Sequence, residues 1–237
     1  HVTRHYRFDN YLNRCCENYP THELGPIAKL LDINRGNRIM TVSSFASKSA
    51  GLSEYIKTRV DATDEMKAAN FAQGDIITTV LTCARGETIL LRLDTTLPRS
   101  YSRDFTVRGT KGLYMQDTNS VFLDGDEESF EPVEYYKKAL NNAVKFEDEY
   151  LPGIWKNVTE ETLKAGHGGM DWFAYMGFTD ALINGEEMPV DVYDAATWQA
   201  VAVLSEMSIK QGGAPQIMPD FTNGKWFKRP RKDVCRL

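Results

Sequence analysis

Apolar residues recur at helical spacing in several stretches of the chain, and this periodicity predicts helices there. In the first stretch, Leu24 and Ile27 share one face, and Gly36 is a natural end. In the last stretch, Asp191 is placed to cap the helix, and Asp194 lies in the first turn, where an acid complements the helix dipole. The predicted helices are residues 21–33, 132–150, 168–185 and 191–213, and residues 52–59 are predicted to form a short helix or a single helical turn.

The centre of the chain is rich in β-branched residues and predicts a run of strands. The dipeptide Arg85–Gly86 separates two such runs and predicts a hairpin. Closely spaced strands pair antiparallel, because parallel pairs need long crossovers. Threonines alternate with larger apolar residues in the hairpin, so one sheet face is apolar and the other is semi-polar. That semi-polar face could meet solvent, another subunit or a ligand. The predicted strands are residues 38–47, 75–84, 87–96, 104–110, 112–118 and 120–125.

The order of a helix, then strands, then helices predicts the α+β class: a large, mostly antiparallel open sheet with helices packed on one face. No long polar linker interrupts the sequence, which predicts that residues 1–237 form a single domain. The chain opens on His1, without methionine and without a secretory signal. We expect a piece of a longer bacterial protein, for which the cytoplasm and the periplasm both remain open.

Composition narrows the classes of protein that fit. The formal net charge of -5 argues against a nucleic-acid binder, and the basic stretch 225–237 is interpreted as an exposed tail. No apolar run reaches membrane-spanning length. Adjacent Cys15 and Cys16 are poorly placed to bridge each other, and with Cys83 and Cys235 they form no C-x-x-C pair. Reduced thiols, with no zinc site and no disulfide framework, are expected.

Tyr19 and His22 form the first candidate site. They lie three residues apart across a predicted helix start, so both side chains could point into one cavity. An imidazole there can act as a general base, and a phenol can bind sugar hydroxyls. The structural alternative is that Tyr19 packs against the helix and His22 caps a backbone group. The sequence has no G-x-G-x-x-G, G-x-x-x-x-G-K-[ST], G-x-S-x-G or H-E-x-x-H motif that would complete a familiar catalytic machine.

Two further stretches carry candidate binding residues. His167 precedes two glycines and a predicted helix, where a ligand can approach the backbone closely; the alternative is a flexible joint. Arg99, Tyr101 and Arg103 follow the predicted hairpin, and two arginines around a tyrosine can grip a polyol or an anion. They equally fit a solvated strand end.

Taken together, three sequence blocks resemble a known family. They are "YPTHELGPIAKLLDINRGNR", "LRLDTTLPRSYSRDFTVRGTKG" and "GHGGMDWFAYMGF", in this order. The blocks are similar to the C-terminal part of the Gfo/Idh/MocA superfamily, and more narrowly to glycoside hydrolase family 109, the NAD-dependent α-N-acetylgalactosaminidases. The resemblance runs from about Tyr19 to Trp226.

The resemblance implies a C-terminal domain for substrate binding and oligomerisation, whose N-terminal Rossmann partner domain holds NAD and is absent from this chain. It implies a homo-oligomer formed through the open sheet. The implied chemistry is transient oxidation of the sugar at C3, elimination of the glycosidic group, hydration and re-reduction, with no metal. An ordinary NAD(P)-dependent sugar or polyol dehydrogenase, or a non-catalytic sugar-binding module, remains the alternative.

By motif, the resemblance makes His22 a proton-transfer group, with Tyr19 beside it in the catalytic site. It makes Tyr101 and His167 substrate-binding residues, while Arg99 and Arg103 flank the tyrosine. Cys15–Cys16 and Glu23 depart from the plainer pattern that the family leads us to expect, and this bears on which sugar is bound.

Overall fold

The computed structural model describes residues 5–94, 96–125 and 132–232. Cys235 and the end of the predicted basic tail lie outside the described residues. The described parts of His1–Arg99 and Val190–Asp233 form one compact unit, here called unit 1, and those of Ser100–Pro189 form a second, unit 2. The expectation that residues 1–237 act as one domain stays a prediction.

Unit 1 is built on a four-stranded antiparallel sheet in the order β3-β2-β1-β7. The predicted hairpin is present: β2 and β3 pair in register from Ile76 opposite Asp94 to Thr82 opposite Thr88. The sheet's outer strand β7 is short and was not predicted. The strands of unit 1 are β1 Ile39–Ala46, β2 Ile76–Cys83, β3 Thr88–Asp94 and β7 Gln216–Ile217.

Two helices of unit 1, α2 and α10, share one apolar core with the buried face of this sheet. The longest, α10, packs across β1 and buries a stripe at helical spacing that includes Val201, Leu204, Ser205 and Ser208. The helices are α1 His5–Asn13, α2 Thr21–Leu30, α3 Gly51–Lys57, α4 Asp64–Lys67 and α10 Val192–Lys210. The predicted α+β class, with antiparallel pairing and helices on one sheet face, is therefore confirmed.

Strict alternation in β2 divides the sheet into a buried and an open face. Ile77, Leu81 and alternate neighbours are buried, whereas the residues between them are half-buried. The core joins α2, the sheet and α10 through the residues Leu24, Ala28, Ile33, Ile39, Val42, Leu81, Cys83, Ile89, Leu91, Val201, Leu204 and Met218. The open face carries exposed Phe45, Leu90 and Ile217.

A buried ion cluster fixes the start of α10. Arg35 donates to both carboxylate oxygens of Asp194, at 3.0 and 3.1 Å, and to Asp191 at 3.0 Å. Lys29 reaches Asp194 from α2 at 3.0 Å. Asp191 caps the helix as predicted, in a capping box with Asp194. The cluster therefore ties α2 and the loop after it to the N-terminus of α10.

Unit 2 holds a separate three-stranded antiparallel sheet, so the predicted strands are divided between two sheets. Its strands are β4 Thr106–Gly109, β5 Gly112–Met115 and β6 Ser120–Leu123. Its α-helices are α5 Pro132–Ala139, α6 Glu147–Tyr150, α7 Gly153–Lys156, α8 Glu160–Lys164 and α9 Met170–Ile183.

The prediction of one continuous helix over residues 132–150 is wrong. Asn141 adopts a left-handed conformation (φ 59°) after α5, and a 3₁₀ turn, Asn142–Phe146, precedes α6. The side chain of Asn142 accepts from the N–H of Val121 and donates to its carbonyl, both at 2.7 Å. Asn142 thus occupies the hydrogen-bonding edge of β6, and this tertiary pairing outweighs helix propensity.

The ion cluster leads to a stability prediction. Replacing Arg35 with Met removes the cation that binds both carboxylate oxygens of buried Asp194, and we expect the free energy of unfolding to fall by about 3 kcal/mol. Arg59→Met is the control, because the Arg59–Asp61 pair is exposed and should contribute less than about 1 kcal/mol. Urea unfolding of both variants measures the difference. Equal losses in the two would show that the cluster does not stabilise unit 1.

Candidate functional site

Tyr19 and His22 lie face to face at the start of α2. Their ring centroids are 4.6 Å apart and their planes are inclined by 26°, which is a stacked pair. Both side chains are exposed, Tyr19 by 49%. Pro20 precedes the helix in a helical conformation and is itself buried, so the chain turns directly from Tyr19 into α2. The phenol and the imidazole can therefore contact the same ligand.

Buried polar contacts hold the segment that leads into this stack. The side-chain amide of Gln73 accepts from the N–H of Cys16 at 3.1 Å and donates to its carbonyl at 3.0 Å. The N–H of Glu17 donates to Ser205 Oγ at 2.8 Å, and the N–H of Tyr19 donates to Glu17 Oε1 at 3.3 Å. The backbone before the stack is thus fastened both to α10 and to the loop before β2.

The helix behind the stack is seated tightly on the core. Leu24 and Ala28 are buried in the main apolar cluster. A Cβ added to Gly25 would lie 3.5 Å from the indole ring of Trp198, which is ordinary van der Waals contact. The close approach of α2 to α10 therefore fixes how far Tyr19 and His22 extend from the surface of unit 1.

Two carboxyl groups give the site its electrostatic character. Burial, reinforced by the charge of Glu23, raises the pKa of Glu17 to about 8. Burial also raises the pKa of Glu23 to about 7, against the opposing effect of the Arg99 and Arg92 guanidinium groups. Both acids flank the Tyr19–His22 stack in the sequence, and both titrate near neutral pH.

Sequence reasoning did not propose either acid as a functional residue. Glu23 stands out only as a departure from the family pattern, and Glu17 does not stand out, because a glutamate usually lies at the surface. Its burial results from tertiary contacts with α10. In the local sequence, Glu17 and Glu23 lie on either side of the Tyr19–His22 pair, and this pattern is the local sign that indicates them.

Arg99 belongs to the same unit as the stack. Its guanidinium donates to the Asp94 carbonyl at 3.1 Å and lies 3.6 Å from the Asp94 carboxylate. Arg99 also lies near enough to Glu23 to lower its pKa. The end of β3 therefore presents a guanidinium to the beginning of α2.

Tyr101 and Arg103 belong to unit 2. Tyr101 is 81% exposed, and its hydroxyl accepts a 3.4 Å hydrogen bond from Arg103 Nε. Ser102 between them binds the Asp117 carboxylate and accepts from the N–H of Asp104 at 2.7 Å. The chain here forms an ordered turn that displays the phenol. The two arginines of the predicted grip are thus assigned to different units.

His167 lies in a strained glycine turn of unit 2. Its own φ is 44°, and Gly166, Gly168 and Gly169 have φ of 86°, 66° and 94°. The His167 ring Nδ1 faces the Asp171 carboxylate at 2.9 Å, and the imidazole is 72% exposed. Such a carboxylate fixes the ring orientation and leaves Nε2 as the nitrogen that can meet a ligand.

The structure thus brings together Tyr19, His22 and Arg99 in unit 1, and separately Tyr101, Arg103 and His167 in unit 2. The expectation that both sets face one sugar pocket stays a prediction. Within the described residues, no group of three or more His, Cys, Asp or Glu side chains is placed to hold a metal ion. In the same part of the chain, no helix is long and apolar enough to cross a membrane.

Comparison with known proteins shows which sequences this chain is similar to. A 42% identical relative from Stenotrophomonas maltophilia (strain K279a) is named a glycosyl hydrolase family 109 protein, and the match covers 94% of this chain and 48% of the relative. A relative from Tannerella forsythia, named alpha-N-acetylgalactosaminidase, is 38% identical over 94% of this chain and 46% of its own length. The chain therefore spans about half the length of these relatives.

A third relative, a glycosyl hydrolase family 109 protein from Parabacteroides distasonis, is 39% identical over 94% of this chain. The family described as glycosyl hydrolase 109, C-terminal domain, matches residues 1–228. That match includes the Tyr19–His22 stack, the Tyr101 turn and the His167 turn. The chain belongs to glycosyl hydrolase family 109, as its C-terminal domain.

Proposed function

We propose that this chain is the substrate-binding half of an NAD-dependent glycosidase that cleaves α-N-acetylgalactosaminides. The proposal rests mainly on the exposed Tyr19–His22 stack at the start of α2. Buried hydrogen bonds hold the backbone segment that leads into this stack. Family membership and the name of the Tannerella forsythia relative support the substrate class. A rigidly held phenol and imidazole suit a polyhydroxylated ligand, since both can form hydrogen bonds while a ring face covers the sugar.

His22 is the proton-transfer group in this proposal. An imidazole can take up and return a proton near neutral pH, and elimination and rehydration of a sugar need both steps. Tyr19 stacks on the ring of His22 and limits its orientation, and its hydroxyl is available to a sugar oxygen. The family resemblance also makes Tyr101 and His167 candidate substrate-binding residues. Within unit 2, the Asp171 carboxylate orients the imidazole of His167.

NAD is the cofactor in this proposal, and a Rossmann domain preceding this chain would hold most of it. The glycine turn at 166–169 is consistent with NAD being held mostly by another domain. It follows helix α8 and not a strand, so it is not the usual loop that binds the pyrophosphate of a dinucleotide. The exposed Tyr19–His22 face is the part of this chain that would meet the nicotinamide end. Bound NAD supplies reversible hydride transfer, which the side chains of this chain cannot provide.

The open sheet face is the proposed subunit interface. Phe45, Leu90 and Ile217 are exposed on neighbouring strands, and Leu90 is paired through Val80 with Ser43 across the sheet. Exposed apolar side chains on an open sheet face favour association with a like surface. We therefore expect a homodimer in which two such faces meet.

Activity of the full-length protein tests the function. We expect cleavage of an aryl α-N-acetylgalactosaminide without net NADH, and His22→Ala should lower kcat about 100-fold because proton transfer is lost. Tyr55→Phe on α3, an exposed tyrosine distant in sequence, is the control and should change kcat little. Net NADH from a free sugar, without glycoside cleavage, would instead indicate a dehydrogenase.

The glycine turn around His167 gives a second test. Alanine at Gly169 would place its Cβ 3.1 Å from the Thr162 carbonyl in a conformation with φ of 94°, whereas alanine at Gly168 meets nothing within 4 Å. We expect Gly169→Ala to destabilise unit 2 by about 2 kcal/mol and Gly168→Ala by about half as much. Thermal unfolding and the KM for the glycoside measure the effects. An unchanged KM in both variants would argue against substrate binding at this turn.

Oligomeric state gives a third test. Leu90→Lys places a charge on the open sheet face, where desolvation should prevent dimer formation. Val60→Lys is the control, because Val60 is 98% exposed in the loop between α3 and α4. Light scattering after size-exclusion chromatography should show a dimer for wild type and Val60→Lys and a monomer for Leu90→Lys. A dimeric Leu90→Lys protein would place the interface elsewhere.

A further inference from the structure

Glu17 connects the core of unit 1 to the Tyr19–His22 stack. Its side chain is fully buried, although it lies only two residues before an exposed tyrosine. Its N–H donates to Ser205 Oγ on α10, and that hydroxyl donates onward to the Ala202 carbonyl at 3.0 Å. Its carboxyl Oε1 accepts from the N–H of Tyr19. Glu17 is therefore fixed on one side and bound to Tyr19 on the other.

The second carboxyl oxygen of Glu17, Oε2, differs from Oε1 in its contacts. Within the described residues, Oε2 is buried and has no hydrogen-bond partner. The cation in the neighbouring segment, Arg14, is bound to Glu206 of α10 at 2.7 Å. A buried carboxylate with one unpaired oxygen is strongly unfavourable, whereas a buried carboxylic acid is far less so. The geometry thus favours the neutral form.

We propose that Glu17 is the positioning residue of the Tyr19–His22 stack, and that it acts as a neutral carboxylic acid. As an acid it keeps Oε1 as the acceptor for Tyr19 without placing a charge in the core. This inference rests on the proposed function, because it concerns how the same site is kept in its active arrangement. Neither the resemblance to the family nor the periodicity of the chain assigns a role to this residue.

Burial and the charge of Glu23 favour the neutral form of Glu17, and they outweigh the hydrogen bond from the Tyr19 N–H, which favours the carboxylate. Glu23 on α2 is a second carboxyl whose charge opposes ionisation of Glu17. Glu206 on α10 is neutralised by Arg14 and Lys210, each at 2.7 Å. Next to Glu17 in the chain, Cys16 has its thiol pKa raised by burial to about 11, so it adds no charge at neutral pH. Gln73, which holds Cys16, is neutral. The cations Arg14 and Lys210 are thus paired with Glu206 and not with Glu17.

Loss of this proton should disturb the site at alkaline pH. The pKa of Glu17 is raised from 4.5 to about 8 in the folded protein, so its stabilising contribution is complete below about pH 4.5 and is lost as the pH rises through about 8. Ionisation beside Glu23 would drive the carboxyl toward water and remove the acceptor of the Tyr19 N–H. Activity should decline as the pH rises through about 8, because it depends on ionisation of Glu17 in the folded protein.

Glu17→Gln in the full-length protein is the decisive variant. Glutamine keeps an oxygen for the Tyr19 N–H but cannot ionise, so the fall in kcat/KM that wild type shows around pH 8 should disappear. Glu17→Leu removes the acceptor and should lower kcat/KM about tenfold or more at every pH. Glu23→Gln removes the repelling charge and should move the wild-type midpoint to lower pH. Glu54→Gln on α3 is the control for loss of an exposed carboxylate.

Thermal unfolding of the same proteins between about pH 5 and about pH 9.5 separates the two proposals. Wild type should lose stability relative to Glu17→Gln as the pH rises. If cleavage occurs but wild type and Glu17→Gln have superimposable pH profiles for activity and unfolding, the role of Glu17 is wrong and the function stands. If no protein cleaves the glycoside, the function is wrong. In that case, a difference in unfolding temperature between wild type and Glu17→Gln that grows with pH still supports the neutral acid. A difference that does not change with pH overturns it. Should Glu17→Leu fail to fold, the glutamine variant still decides.

Discussion

The packing of α10 across the four-stranded sheet is the interaction on which the rest of unit 1 depends. Val201 and Leu204 bury the apolar stripe of the helix, and Ser208 accepts from the N–H of Ser44 in β1 at 2.9 Å. One turn away, Ser205 accepts from Glu17. Small hydroxyl residues in this stripe let the helix approach closely and satisfy backbone groups that the contact removes from water. The site segment is thus attached to the same helix that completes the core.

The two ends of α10 are held by different kinds of polar contact. Its N-terminus lies in the ion cluster of Arg35, Asp191 and Asp194, where charges are compensated by several partners. Toward its other end, the neighbouring carboxyl of Glu17 has an oxygen without a described partner. A paired buried charge is stabilised by its partners, whereas a buried acid with an unpaired oxygen leaves one polar atom unsatisfied, which costs free energy. Such an arrangement is expected where a structure serves a site rather than its own stability.

Much of this fold could be predicted from the sequence. The helix α2 and the β2–β3 hairpin follow a clear local periodicity, Asp191 caps the start of α10, and glycines follow α9 and α10. The break after α5 could not be predicted, since it depends on Asn142 pairing with a strand that is remote in sequence. Tyr19, His22 and His167 attract attention by residue type alone. Glu17 does not, because its burial is a property of the packed structure and not of the local sequence.

The position of the buried acids also explains how an exposed site can be held rigidly. Tyr19 and His22 must face outward to meet a ligand, so they cannot be fixed by burial of their own rings. The holding contacts must act on the backbone before them, and a backbone N–H needs an acceptor that does not attract water into the core. A neutral carboxyl meets that requirement, whereas a carboxylate without a cation does not. Because the rings of Tyr19 and His22 must be exposed, their backbone is held by a buried acid that has no cation beside it among the described residues.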